Sequence, residues 1–178
     1  HNGIEYGDMQ LIAEVYDVLR RALGLTAPQI GHIFSKWNEG ILNSFLIEIT
    51  AKILSVKDKE TGKPLVDLIL DKAGQKGTGR WTSEAALELS VPVPTIDGAL
   101  TGRVLSSMKD ERMNAARVFA SVSEDLEKET AGSGGLDHPL IDHLEKALYA
   151  AKVCSYAQGM SLALYAAKVC SYAQGMSL

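Results

Sequence analysis

The stretch that decides the fold is MQLIAEVYDVLRRALG, residues 9–24. Its apolar residues recur every three or four positions from Met9 to Leu23, which places them on one face of an α-helix. Gly24 follows directly, and glycine commonly ends a helix because it accepts the left-handed backbone conformation. The pattern therefore predicts a helix that starts near Asn2 and ends before Gly24.

Most of the remaining chain shows the same helical period, so the sequence predicts an all-α helical bundle. A second helix begins at Thr26, which has Gln29 at capping-box spacing, and ends near Gly40. The other predicted elements, in chain order, are a helix over residues 42–56, a polar turn over 57–64, a short helix or strand in LVDLIL (65–70), a helix over 83–89 capped by Thr82 or Ser83, a helix from its cap Thr95 to about Val122, a flexible break over 129–139, and a last helical region from Pro139.

An exact repeat ends the chain. ALYAAKVCSYAQGMSL occupies residues 147–162 and recurs unchanged at 163–178. In one continuous helix, the second copy is rotated by roughly 160° from the first, so its apolar stripe points almost the opposite way. A break near Gly159–Ser161 is the alternative. The predicted organisation is a helical half-domain over residues 1–146, followed by the duplicated segment 147–178.

Composition argues against several classes of protein. The net charge of −4 disfavours a broad nucleic-acid surface. The longest uncharged run, Val153–Ala167, has 15 residues, fewer than the roughly 18 that a membrane span needs. The two cysteines, Cys154 and Cys170, are copies of one residue and would lie roughly 24 Å apart on a straight helix, too far to bridge. These features favour a reducing cytoplasm.

The first residues of the chain are a candidate catalytic group. In a helix that starts near Asn2, the side chains of Asn2, Glu5, Tyr6 and Met9 share one face. Glu5 can act as a general acid if burial raises its pKa. The competing interpretation is an ordinary first helical turn, where the helix dipole favours an acidic residue.

A glycine-rich segment, GQKGTGRW (74–81), is a candidate anion site, with charge from Lys76 and Arg80. Gly74 and Gly79 have the spacing of a P-loop, but Arg80 and Trp81 replace its Lys and Ser/Thr, which argues against nucleotide hydrolysis. A plain surface turn is the alternative. His138 and His143 could be metal ligands, but their spacing puts them on different helix faces, so we expect no metal site.

Several segments, in order along the chain, resemble 6-phosphogluconate dehydrogenase, the NADP-dependent decarboxylating enzyme of the pentose phosphate pathway. They are HNGIEYGDMQLIAEVYDVL, WNEG, LIEITAKIL, GKPLVDLILDKAGQKGTGRWT, VPVPTI, SSMKDER and ALYAAKVCSYAQGM. The most specific is DKAGQKGTGRWT (71–82). The resemblance runs from His1 to about Met160 and implies the first half of the family's all-helical domain, with the first helix of its second half.

This resemblance implies a reaction and a set of site residues. The family oxidises 6-phosphogluconate at its C3 hydroxyl with NADP, releases CO2 and protonates the enediol to give ribulose 5-phosphate. By resemblance, Glu5 is the acid that protonates the enediol. His1 and Asn2 lie in the sugar-acid site, with Asn2 also near the nicotinamide. Tyr6, Lys76 and Arg103 contact the substrate phosphate, Arg103 through the segment ALTGRVLS.

Some family features have no match in this sequence. The family's general base, a lysine three residues before the histidine of HNGIEYGD, would precede residue 1. The G-x-G-x-x-G fingerprint and the C-terminal tail also have no match. We therefore expect a part of the enzyme that alone binds no NADP, holds 6-phosphogluconate weakly at best and is inactive. The expected protein is a cytoplasmic homo-oligomer that binds neither nucleic acid nor membrane.

Three other interpretations stay open. The first is a related dehydrogenase of β-hydroxy acids, against which the segment GQKGTGRW argues. The second is a binding module that holds a phosphorylated sugar acid without catalysis. The third is an engineered or self-associating helical assembly, which the exact repeat favours because its second apolar stripe needs a partner.

Overall fold

In the computed structural model, the described residues are 1–120 and 135–175. Over these residues the chain forms seven α-helices and no β-strand, which confirms the predicted all-α class. The helices are α1 (Asn2–Ala22), α2 (Ala27–Trp37), α3 (Phe45–Ser55), α4 (Thr78–Glu88), α5 (Pro94–Ser107), α6 (Lys109–Val118) and α7 (Leu140–Gly175). The ambiguous run LVDLIL forms a 3-10 helix, Leu65–Leu68, and not a strand.

The chain divides into two compact units, and α1 and α7 contribute residues to both. Unit 1 contains His1–Leu11, Ala73–Ser107 and Ala150–Leu178, whereas unit 2 contains Ile12–Lys72 and Met108–Tyr149. Every site residue predicted from the sequence belongs to unit 1. The predicted boundary between residues 146 and 147 stays a prediction.

Unit 2 is built around the pair α2 and α3. Ile30, Phe34 and Ile47 are completely buried, as the apolar spacing of both helices predicts. Phe34 and Trp37 pack edge to face, with ring centroids 5.1 Å apart. The predicted capping box is confirmed, because the backbone N–H of Thr26 donates to Oε1 of Gln29 at 2.9 Å.

The core of unit 1 joins α4, α5 and the first copy of the repeat. Its buried residues are Ala86, Val93, Ile96 and Leu162. Ile4 of α1 packs against this cluster from the start of the chain. The unit therefore holds the first residues of α1 against α4 and α7, and this packing positions the candidate site.

Helix α4 begins earlier than predicted. The sequence analysis placed its cap at Thr82 or Ser83, but the helix starts at Thr78, and the N–H of Trp81 donates to the carbonyl of Gly77. Gly77 has φ +104°, a left-handed conformation that favours glycine and turns the loop into the helix. Ser83 is instead a mid-helix residue whose hydroxyl donates to Oδ1 of Asp97 at 2.6 Å.

The predicted helix from Thr95 to about Val122 is also wrong in detail, because the structure has two helices there. Helix α5 begins at Pro94, where the missing N–H costs nothing, and Thr95 is not its cap. The helix ends at Ser107, whose hydroxyl donates to the carbonyl of Val104, and α6 begins at Lys109. Ser–backbone bonds of this kind compete with the helical ladder. The predicted end at Val122 and most of the break over 129–139 lie outside the described residues.

The repeat forms part of one helix. Helix α7 runs without interruption through Gly159 and Ser161, so the alternative of a break there is wrong. Neither residue is a strong helix breaker, and Gly159 is packed against Ile4. The continuous helix leaves the two copies in different surroundings: Lys152 and Ser155 of the first are buried, whereas Lys168 and Ser171 of the second are exposed.

Candidate active site

The start of α1 brings three of the predicted site residues together. The N–H of Glu5 donates to the carbonyl of His1 at 3.0 Å, which closes the first helical turn. Nδ1 of His1 lies 3.0 Å from Oδ1 of Asn2 and 3.6 Å from Oε2 of Glu5. The Glu5 side chain is 43% exposed, so its carboxyl group is accessible to a ligand.

Tyr6 and Arg103 form the second group. Tyr6 is buried, and the guanidinium carbon of Arg103 lies 4.0 Å from the centre of its ring. Arg103 comes from α5 and also donates to the carbonyl of Gly74 at 3.0 Å. This stacking fixes the plane of a cation that can bind an anion through two parallel hydrogen bonds.

The first turn of α4 completes this second group. A Cβ on Gly79 would overlap the ring of Tyr6, so only glycine lets the helix backbone approach the ring this closely. The first N–H groups of an α-helix have no partner within the helix and bind anions readily. Arg103, the ring of Tyr6 and the N-terminus of α4 therefore lie side by side in unit 1.

The glycine-rich loop before α4 is anchored at its base. The N–H of Ala73 donates to the hydroxyl of Ser106 at 2.9 Å, and Arg103 binds the carbonyl of Gly74. Lys76 is exposed two residues later, directly before Gly77. The second predicted cation of the loop, Arg80, forms an ion pair with Glu84 at 3.1 Å, which reduces its capacity to attract an anion.

A cleft of about 430 Å³ connects the start of α1 with α4. His1 and Asn2 line it together with Thr78 and Trp81. Thr78, the first residue of α4, was not among the residues predicted from the sequence because the helix was expected to start later. The glycine pair in KGTG, which allows a sharp entry into a helix, is the signal that could have identified it.

The remaining sequence motifs carry less chemistry. In the described parts of the chain, no three His, Cys, Asp or Glu side chains are grouped as a metal site would require. Cys154 and Cys170 are both free and exposed. No helix among the described residues is long and apolar enough to cross a membrane.

The fold and the site together define an all-α protein in which a cation stacked on a buried ring and an accessible carboxyl group belong to the same compact unit. Residues 1–163 match the family model described as 6-phosphogluconate dehydrogenase, C-terminal domain. The chain belongs to this family, which confirms the resemblance seen in the sequence. The match ends at the first residue of the second copy of the repeat.

Known relatives agree with this assignment. The chain is 51% identical to the NADP(+)-dependent, decarboxylating 6-phosphogluconate dehydrogenase of Bacillus subtilis (strain 168), covering 90% of this chain and 33% of the relative. It is 55% identical to the chloroplastic decarboxylating enzyme 3 of Arabidopsis thaliana, covering 91% of this chain and 33% of the relative. The chain therefore spans about a third of the length of these curated relatives.

A solved structure shows the same fold. The Plasmodium falciparum 6-phosphogluconate dehydrogenase matches with a TM-score of 0.84 and 42% identity, over 96% of this chain and 36% of that one. That enzyme has been solved in its apo form and in complexes with its cofactor NADP+ and its substrate 6-phosphogluconate.

Proposed function

We propose that this chain is the part of an NADP-dependent 6-phosphogluconate dehydrogenase that binds the substrate phosphate and supplies the proton-donating acid. One observation carries the proposal: Arg103 lies over the ring of Tyr6, and that ring packs against the first turn of α4. This arrangement suits a phosphate dianion, and the relatives of this chain are named for a phosphorylated substrate.

The phosphate end of the proposed site combines three kinds of donor. Arg103 offers a planar fork of N–H groups, and exposed Lys76 offers a flexible ammonium group. The first turn of α4 adds backbone N–H groups and the positive end of the helix dipole. Tyr6 fixes the plane of Arg103, and its phenol adds a donor of its own.

The acid end of the proposed site lies in the first turn of α1, next to Tyr6. Glu5 adjoins Tyr6 in sequence, so binding the phosphate near Tyr6 places the rest of a sugar acid beside Glu5, His1 and Asn2. In this proposal Glu5 gives its proton to the enediol, and His1 and Asn2 bind the sugar acid. The side chains of His1 and Asn2 already lie within hydrogen-bond distance of each other.

We propose that residues 1–178 by themselves bind no dinucleotide. Such a cofactor is held at a strand–glycine turn–helix unit, and residues 1–120 and 135–175 contain no strand. NADP, which accepts a hydride in the family's reaction, is therefore assigned to the relatives, and only Asn2 is proposed to approach its nicotinamide. We propose that residues 1–178 alone are inactive, since the family's reaction needs a bound NADP to accept the hydride.

Calorimetric titration with 6-phosphogluconate tests the proposed site. We expect binding in the millimolar range, because few groups contact the ligand and the site is open. Lys76→Ala and Arg103→Lys should each weaken binding, the second because lysine cannot replace a planar guanidinium. Lys72→Ala, in the same exposed stretch, is the matched control and should bind like the parent chain.

Two results would contradict the proposal. Absence of heat at millimolar 6-phosphogluconate would contradict the proposed binding of the substrate phosphate. Reduction of NADP by this chain, followed at the absorbance of NADPH, would show that the chain alone is active. In either case the family assignment would stand, because it rests on sequence and fold.

A second proposal concerns assembly and location. The second copy of the repeat exposes Leu164 (71%) and Tyr172 (66%), and apolar residues on a helix surface favour self-association. We therefore propose a homo-oligomer, either of the enzyme or, alternatively, of an engineered non-catalytic helical assembly. Deleting residues 163–178 should lower the mass measured by light scattering, and an unchanged mass would count against the homo-oligomer.

We propose a cytoplasmic location, because the two free cysteines of the chain favour a reducing compartment.

A further inference from the structure

Unit 1 contains a groove that receives the first copy of the repeat. We call it the α7 groove and define it by Ile4, Gly7 and Asp8 of α1 and Thr95 of α5. Nζ of Lys152 lies 2.6 and 2.5 Å from the two carboxylate oxygens of Asp8, and both residues are buried. The groove is therefore selective for a helix with a lysine at this position, because an unpaired buried carboxylate is strongly unfavourable.

Two further positions of the first copy contribute to this recognition. Ser155 is completely buried and so close to α1 that a Cβ on Gly7 would overlap its hydroxyl. Gln158 accepts a hydrogen bond from the N–H of Thr95 and donates one to its hydroxyl, both at 2.9 Å. The recognition pattern is therefore a lysine, followed three positions later by a small residue and three positions after that by a glutamine.

The same pattern occurs a second time on the exposed surface of α7. Lys168, Ser171 and Gln174 repeat it 16 residues later, and all three are exposed. The second copy is identical in sequence, so it has the same complementarity to the α7 groove. Within one chain, it would have to move roughly 24 Å along the helix axis to reach its own groove.

We propose that the second copy of the repeat is a ligand for the α7 groove of another molecule of this chain. When a first copy leaves its groove, the second copy of a partner molecule replaces it, and the exchange in both directions gives a closed dimer. At low protein concentration the first copy prevails because it belongs to the same molecule, and the dimer of the parent chain forms as the concentration rises. This proposal names the partner surface for the self-association proposed above and does not depend on catalysis.

The test displaces the first copy and leaves the second intact. Ser155→Arg places a long charged side chain where no space exists beside Gly7. We expect this variant to remain helical by circular dichroism and to give twice the 19.2 kDa mass of one chain in light scattering, at a low protein concentration where the parent chain is still a monomer. The matched control Ser171→Arg changes an exposed residue of the second copy and should leave a monomer at the same concentration.

The double variant, Ser155→Arg with Ser171→Arg, decides between mechanisms. It should lose both the dimer and the fold of unit 1. If the chains instead associate only through the exposed side chains of Leu164 and Tyr172, the double variant stays a dimer, and this result would overturn the proposal. A folded monomer of Ser155→Arg would overturn it as well, by showing that the second copy fills the groove of its own chain. Unfolding of Ser155→Arg to the same extent as the double variant would overturn it too.

A milder pair of variants covers the case in which arginine disrupts more than the groove. Lys152→Ala weakens only the first copy, and its dimer fraction should rise with protein concentration. Adding Lys168→Ala should abolish that rise, because neither copy can then pair with Asp8. A concentration dependence that survives the second substitution would contradict the proposal. Titration with 6-phosphogluconate on the parent chain tests the catalytic assignment independently.

Discussion

Residues 147–162 and 163–178 have the same sequence, and one helix contains the first copy and the described part of the second, but the two differ in packing. Leu148 is 1% exposed and its duplicate Leu164 is 71% exposed. Lys152 is buried in an ion pair with Asp8, whereas Lys168 is exposed. The comparison shows that a helix-forming sequence fixes the conformation of the backbone, while burial depends on what surrounds it. Paired substitutions in the two copies can therefore measure tertiary contributions with local sequence held constant.

The largest difference is expected for the lysine pair. Lys152→Ala leaves the buried carboxylate of Asp8 unpaired and should lower the free energy of unfolding by about 3–5 kcal/mol. Lys168→Ala changes an exposed residue and should stay within about 0.5 kcal/mol. Urea denaturation at low protein concentration, where intermolecular exchange is minimal, measures both. Equal effects would show that the ion pair does not distinguish the copies.

The leucine pair should give the next largest difference. Leu148→Ala removes a buried side chain and should cost about 2–5 kcal/mol, depending on how far the cavity closes. Leu164→Ala should be close to neutral in the monomer, because its side chain is already mostly in water. Thermal unfolding followed by circular dichroism compares the two variants. A large loss of stability in Leu164→Ala would mean that this residue is buried in an oligomer in solution.

The glutamine pair isolates hydrogen bonding. Gln158→Ala removes two bonds to Thr95 at the start of α5 and should cost about 1 kcal/mol. Gln174→Ala alters an exposed residue, so its denaturation midpoint should equal that of the parent chain. If the two variants had equal midpoints, the bonds to Thr95 would contribute nothing beyond those that water supplies.

The smallest effect concerns pH and serves as a control outside the repeat. It uses a pair in which neither residue belongs to the repeat or contacts it, Asp71 and Arg112 in unit 2. The hydrogen bond from Arg112 lowers the pKa of Asp71 below its ordinary value. The stabilisation by this pair is therefore present at neutral pH and is lost as pH falls through that lowered pKa.

Asp71→Asn should weaken the loss of stability in acid slightly, since an asparagine has no proton to bind. The measurement is the free energy of unfolding between pH 5 and pH 2 in the parent chain and the variant. A larger acid sensitivity in the variant would contradict the lowered pKa. The difference between Lys152→Ala and Lys168→Ala, measured at neutral pH, should be the same in the Asp71→Asn background, because independent sites add.

Much of the fold could be predicted because helical period is a local property. The cap of α2 at Thr26 is an example, since its capping box lies within four residues. The start of α4 could not be predicted in the same way. Thr82 and Ser83 are good capping residues, but the left-handed Gly77 and the packing of Gly79 against Tyr6 place the helix start at Thr78. A contact between residues more than 70 positions apart overrode the local signal.

The candidate site shows the same division. The sequence indicated Tyr6, Lys76 and Arg103 through their resemblance to the family, and spacing placed Asn2, Glu5 and Tyr6 on one helix face. The stacking of Arg103 on Tyr6 and its bond to Gly74 join α1, α5 and the loop before α4. Periodicity carries no information about such pairs. Thr78 was missed because the start of α4 was placed four or five residues too late.

The sequence by itself determined that this chain is helical and that it belongs with the 6-phosphogluconate dehydrogenases. It also showed that the last 32 residues are an exact tandem repeat of one segment. These properties depend on residue type and spacing, which a chain carries before it folds. Only the tertiary structure decided which copy is buried, because burial depends on the partner surface. Asp8, Gly7 and Thr95 form one α7 groove in each chain, and the first copy of the repeat occupies it.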